Sequence, residues 1–121
     1  MRNNTKVLES IKVLDLTNVL SGPFATSLLA LLGAEVIKIE NPKDGDLARK
    51  LGARPDYNKL LLGTSFLAQN ANKKSLTLNL KTVEGKEIFK KLVLDSDIVV
   101  ENFRPGVMDK LGLGYKTDRK S

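Results

Sequence analysis

The amino-acid sequence predicts an α/β fold built on a mostly parallel sheet. Three stretches carry that prediction. Residues 11–40 read as strand, helix, strand. Residues 75–94 read as an alternating strand followed by an amphipathic helix. Residues 98–100 form an apolar run that ends in a polar loop and another short helix.

Taken in order, residues 11–17 (IKVLDLT) are rich in β-branched residues and leucine, as a buried strand is. Ser21 is an N-cap candidate, and Pro23 suits the first helical position. Residues 24–32 are apolar almost all round, which predicts a helix covered on several sides, and Gly33 fits its C-terminal cap. Residues 35–40 (EVIKIE) form a second strand after a tight turn, so the unit should be parallel and right-handed. Residues 41–62 set Pro42, Gly45, Gly52 and Pro55 among charges, predicting a long irregular connection with a short helix at 46–51. A loop of that length is usually functional or mobile. Residues 75–80 (SLTLNL) alternate, so this strand is half-buried and lies near a sheet edge. Thr82 caps the next helix, whose apolar stripe is Ile88, Phe89, Leu92 and Val93 and whose Glu87 and Lys91 are spaced as an ion pair. Residues 98–100 add a further buried strand, and residues 107–111 a short helix ending at Gly112. The organisation is a polar segment at 1–10, one domain at 11–115 and a polar tail at 116–121.

The 121 residues suffice for one domain with its own core. There is no Cys, hence no disulfide or thiolate metal site, and no His, which removes the commonest general base and metal ligand. No signal peptide or membrane-spanning run is seen, so the expected setting is cytoplasmic, with no membrane partner. The net charge of +6 raises nucleic acid as a partner. The lysines are spread along the chain, however, and only two Tyr and four Phe are available for stacking. A solvated basic surface is therefore favoured over nucleic-acid binding.

Four constellations bear on chemistry. The turn at 17–23 holds one glycine, short of the Gly-x-Gly-x-x-Gly of a dinucleotide site, although Glu40 ends the second strand where such sites place an acid. A capping turn is the favoured reading, with N–H groups at the helix start open to a phosphate. Lys73 and Lys74 lie in a polar loop, read as solvated in preference to phosphate-pairing. In the run Glu101, Asn102, Phe103, Arg104, the amide can bond a ligand, the ring can stack, and the guanidinium can grip phosphate or carboxylate. Equally, Phe103 plugs the core and Arg104 faces water. For covalent chemistry only carboxylates and hydroxyls remain, and none is marked out. Asp15 lies within a strand, while Asp44, Asp46, Asp56, Asp95, Asp97 and Asp109 read as turn or cap residues.

The ordered set of residues 11–17, 22–24, 32–40, 72–81, 84–85 and 97–112 resembles the family III CoA-transferases (the CaiB/BaiF group), from about Leu8 to Tyr115. That group includes transferases of CoA between thioester and acid, and α-methylacyl-CoA racemases. The resemblance implies a Rossmann-like three-layer αβα domain that binds the coenzyme A of an acyl-CoA, without metal. Carried over by position, the CoA contacts are Leu20, Ser21, Asn41, Leu78, Lys81, Asn102, Phe103, Arg104 and Lys110. Formyl-CoA transferases carry Gln where Leu20 stands and a cation where Asn41 stands, so contact there falls to the backbone. The resemblance also implies that the catalytic Asp lies beyond Ser121. The expectation is thus an N-terminal portion, truncated relative to the family and inactive alone, that forms homo-oligomers through surface left bare.

Overall fold

The computed structural model describes residues 5–118. Four strands form one all-parallel sheet in the order β3-β2-β1-β4. These are β1 (Lys12–Asp15), β2 (Glu35–Glu40), β3 (Lys74–Thr77) and β4 (Ile98–Val100). The register sets Val13 beside Val36, Leu14 beside Ile37 and Asp15 beside Lys38. β3 extends the sheet beyond β2, and β4 pairs with the other side of β1. The fold is therefore α/β, and β1 is the strand from which the chain moves outward in both directions.

Side chains alternate across each strand, so the sheet feeds two cores. On one face Val13 and Val36 pack against Ala30 and Ala34 of α1 (Ser21–Leu31) and the residues just after it. On the other, Leu14, Leu16 and Ile39 pack with Leu78, Leu113 and Phe89 of α4 (Val83–Leu94), with Met108 and Leu111 of α5 (Val107–Leu111) beside them. Helices thus cover both faces. The long connection after β2 carries a 3-10 helix (Leu47–Lys50), α2 (Pro55–Lys59) and α3 (Thr64–Gln69). Residues Tyr115–Asp118 form a last short helix, α6, inside the stretch read as a polar tail.

Several local expectations hold. Thr82 accepts a hydrogen bond from Gly85 N–H at 3.0 Å, so it caps α4 as its sequence position suggested. Asp46 caps the 3-10 helix through Ala48 N–H. β3 is an edge strand. Others need correction. Ser21 lies inside α1 rather than capping it; the N-cap is Leu20, which makes no side-chain cap bond. α1 is covered on one side only, with Phe24, Leu28 and Leu31 exposed. β4 is a half-exposed edge strand, and Glu87 meets Lys90, at 3.4 Å, instead of Lys91. Helix α3 was not foreseen, because a run of six residues shows too little periodicity.

One glycine fixes how β1 meets α1. A Cβ at Gly22 would collide with the Thr17 side chain, so the start of α1 can approach the end of β1 only without a side chain there.

Candidate functional site

The carboxyl ends of the parallel strands, where chains diverge to opposite sides, are where open α/β sheets take ligands. Here those ends enclose a cavity of about 200 Å3. Its lining draws on every strand end: Leu16 and Asn18 after β1, Asn41 and Gly45 after β2, Leu78 and Lys81 after β3, Phe103 after β4. Val107 and Leu111 close it from α5. The floor is apolar and belongs to the core, since Leu16 and Leu78 are buried and Phe103 packs against the same cluster. Phe103 packs into the core, one of the two readings the sequence allowed, and it also borders the cavity.

The sequence-derived candidates divide into two groups. Asn41, Leu78, Lys81 and Phe103 are brought together around this cavity. Leu20, Ser21, Asn102, Arg104 and Lys110 are not part of its lining. Arg104 follows Phe103 and Lys110 precedes Leu111, so both stand on lining segments, exposed to solvent. Asn102 turns its carboxamide to the backbone of Asn18, accepting from the N–H at 2.9 Å and donating to the C=O at 2.9 Å. Among the described residues Lys43, Lys81, Arg104 and Lys110 form no ion pair, and neither do the nearby acids Asp44, Glu101 and Asp109. A larger groove of about 650 Å3 runs along the free edge of β4, lined by Val93, Ile98, Met108 and Tyr115 among others. It takes no residue from the ends of β1, β2 or β3.

Beneath the cavity and the turn after β1 lies a set of charges that sequence reading did not anticipate. Lys73 is no solvated loop cation; its ammonium is buried, 2.8 Å from Asp15 and 2.7 Å from Thr26 Oγ1, and bonded also to Asn70 Oδ1 and Pro23 C=O. Lys38, on β2, meets Asp46 at 2.9 Å with both side chains buried. Glu40 takes a two-point contact from Arg49, both bonds 2.7 Å, and also accepts from Asp46 N–H. Glu40 is thus engaged within the fold and is not a free ribose acid. The Arg49 guanidinium lies 3.8 Å from the centre of the Phe66 ring, which ties α3 to this cluster.

Burial alone would raise the Asp15 carboxyl, but hydrogen bonds from Lys73, Thr17 and Thr26 outweigh it and hold Asp15 below the ordinary carboxylate range. Glu40 follows the same logic: burial pushes it up, and Arg49 with the Asp46 N–H pulls it further down. In the sequence Asp15 stands out as a charge inside a strand and Glu40 as an acid at a strand end, and neither position names its partner. Lys73 lies 58 residues from Asp15, while Asp46 and Arg49 sit in the long connection after β2, so no helix or strand spacing reveals these pairs.

The CoA-transferase family III model matches residues 8–121. Formyl-CoA:oxalate CoA-transferase from Streptomyces avermitilis is 52% identical over 112 residues, covering 92% of this chain and 26% of that protein. The Escherichia coli protein of the same name is 49% identical over 110 residues, with coverage of 90% and 26%. A solved hypothetical protein from Mycobacterium tuberculosis superposes with a TM-score of 0.85 at 41% identity, over 96% of this chain and 30% of that one. A CAIB/BAIF family protein from Brucella suis gives a TM-score of 0.82 at 34% identity, over 95% and 30%. The chain thus spans about a quarter of the length of the formyl-CoA:oxalate CoA-transferases it matches.

The two depressed carboxyls predict acid sensitivity. A group with a lowered folded pKa stabilises fully above its unfolded value, about 4 for Asp and Glu, and loses that contribution as pH falls toward its folded value. The melting temperature should therefore hold from pH 7 to pH 5 and drop below about pH 4. Asp15→Asn should melt lower at pH 7 and lose less stability in acid. A wild-type melting temperature unchanged down to pH 3 would contradict the assignment.

Proposed function

This chain belongs to CoA-transferase family III, and we propose that it is the N-terminal, CoA-binding portion of an enzyme that moves CoA between an acyl-CoA thioester and a carboxylic acid. The observation that supports this most directly is the cavity at the strand ends. It joins an apolar floor, made by Leu78 and Phe103, to a mouth with amide groups and unpaired cations. CoA offers the complement, having a flat base, an arm of alkyl stretches interrupted by two amides, and several phosphates. At about 200 Å3 the cavity is smaller than pockets that enclose a whole ligand, roughly 300–1,000 Å3, so one part of CoA enters and the rest lies across the mouth. Lys81 borders the cavity, and Arg104 and Lys110 are the cations placed to meet phosphate charge outside it. Leu20 and Ser21, at the start of α1, offer main-chain contacts.

The chain's own part is binding and orientation. The buried carboxylates among the described residues are Asp15, Glu40 and Asp46, and each faces a cation of the fold. None is free to attack a thioester, so we assign the covalent step to no residue here. Transfer is preferred to racemisation because the two curated relatives above are named as transferases.

The exposed surface also supports self-association. Phe24, Leu28 and Leu31 fall on one face of α1, at 55%, 44% and 62% exposure, and β4 leaves an open edge. We propose a homo-oligomer through these faces. Light scattering of the 121-residue chain should give a mass above 13.3 kDa that Leu31→Glu reduces, and a monodisperse monomer at high concentration would refute it.

Millimolar CoA should raise the melting temperature through mass action. Phe103→Ala and Lys81→Ala should each weaken binding on the order of tenfold, the second through loss of a charge-assisted contact. A flat melting curve across CoA concentrations would defeat the binding proposal.

A further inference from the structure

The turn between β1 and α1 owes its shape to side chains from the rest of the fold. Thr17 N–H donates to Asp15 Oδ1 at 2.9 Å, and Thr17 C=O accepts from Lys38 Nζ at 2.7 Å. Asn18 N–H and C=O are both taken by Asn102. Val19 N–H donates to Asp46 Oδ1 at 3.0 Å. With the Gln69 carboxamide turned to satisfy both its atoms, its nitrogen donates to Val19 C=O at 3.2 Å and Leu20 C=O at 2.8 Å. Each main-chain polar group from Thr17 to Val19 therefore has a side-chain partner. Those partners come from β1, β2, the cap of the 3-10 helix, α3 and the loop after β4.

That arrangement matters because the turn would not hold its conformation alone. Val19 has φ 72°, in the left-handed region that a β-branched residue disfavours. Such a residue stays there only where its surroundings over-determine the backbone. The neighbouring Asn18 lines the cavity, so the strained turn forms part of its wall.

Asn102 differs from the three charged holders. Asp15, Lys38 and Asp46 are also members of buried ion pairs, whereas Asn102 is exposed and its only side-chain hydrogen bonds among the described residues run to Asn18. Its carboxamide meets the Asn18 backbone as a strand neighbour would, one bond accepted and one donated. We propose that Asn102 is a positioning residue: it clamps Asn18, locks the first βα turn against the cavity, and acts on the ligand through that turn rather than by touching it. This rests on the CoA-binding reading above. It changes the role the family resemblance implied for Asn102, from contact to support.

The test uses the whole 121-residue chain with Asn102→Ala and Asn102→Asp, the second keeping size while losing the donor to Asn18 C=O. Two quantities are read: hydrogen exchange of the Asn18 amide without ligand, and CoA affinity by titration. In Asn102→Ala the Asn18 amide should exchange faster, with the melting temperature changed little. Both variants should bind CoA roughly tenfold more weakly, the scale expected from losing such bonds. Weaker CoA binding with Asn18 exchange unchanged in Asn102→Ala would mean direct contact and overturn the proposal. Faster exchange with unchanged CoA affinity would overturn it equally. A wild-type chain that binds no CoA would overturn the proposed function and this inference together, which separates that failure from the other two.

Discussion

The buried ion pair between Asp15 and Lys73 ties the first strand, the first helix and the approach to the third strand into one unit. Asp15 ends the first strand, Lys73 precedes the third, and both side chains are within 1% of complete burial. Taking two charges out of water is costly, and the attraction repays it only when further hydrogen bonds complete both partners. Thr17 and Thr26 do this for the carboxylate, while Asn70, Thr26 and the Pro23 carbonyl do it for the ammonium. Removing one partner of such a pair costs about 3–5 kcal/mol. Since a domain is stable by only about 5–15 kcal/mol in all, this pair decides whether β1, α1 and the β3 approach stay assembled.

Lys38 with Asp46, and Glu40 with Arg49, extend the same logic across β2. Both partners come from the connection that follows β2, which explains why so long a segment is ordered. Asp46 caps the 3-10 helix, Arg49 leaves that helix to reach Glu40, and Phe66 of α3 packs under the Arg49 guanidinium. The loop is anchored by charge and not by an apolar stripe. Leu47, Leu60, Leu61 and Leu62 remain largely exposed as a result. The structural cluster and the cavity share residues: Glu40 borders the cavity, and Asp46 holds the turn whose Asn18 lines it. Stability and the shape of the cavity are therefore coupled at the carboxyl ends of the strands.

The parts of this molecule that rest on local patterns are legible in the sequence. The two strands around α1, the Thr82 cap, the edge position of β3 and the Gly112 stop all follow from composition within a few residues. The resemblance at residues 97–112 led to the loop that carries Phe103, and geometry then placed Phe103 at the cavity. Contacts between distant residues were out of reach. Lys73 looks like any loop lysine until β3 lines up beside β2 and brings it under α1. Gln69 and Asn102 look like ordinary polar residues until the turn they hold is seen. The exposed face of α1 departs from its sequence pattern for a related reason: apolar residues all round a helix record what can be covered, and the described residues cover one side.

We propose that a CoA molecule is held at the strand ends by residues of this chain. The most direct test is a map of backbone amide shifts as CoA is added to the isotope-labelled protein. The account predicts that the largest changes fall at Asn18, Asn41, Asn79, Lys81 and Phe103, which surround the cavity. Changes confined to Ser96, Asp97 and Ile98 along the β4 groove, or no changes at all, would contradict it.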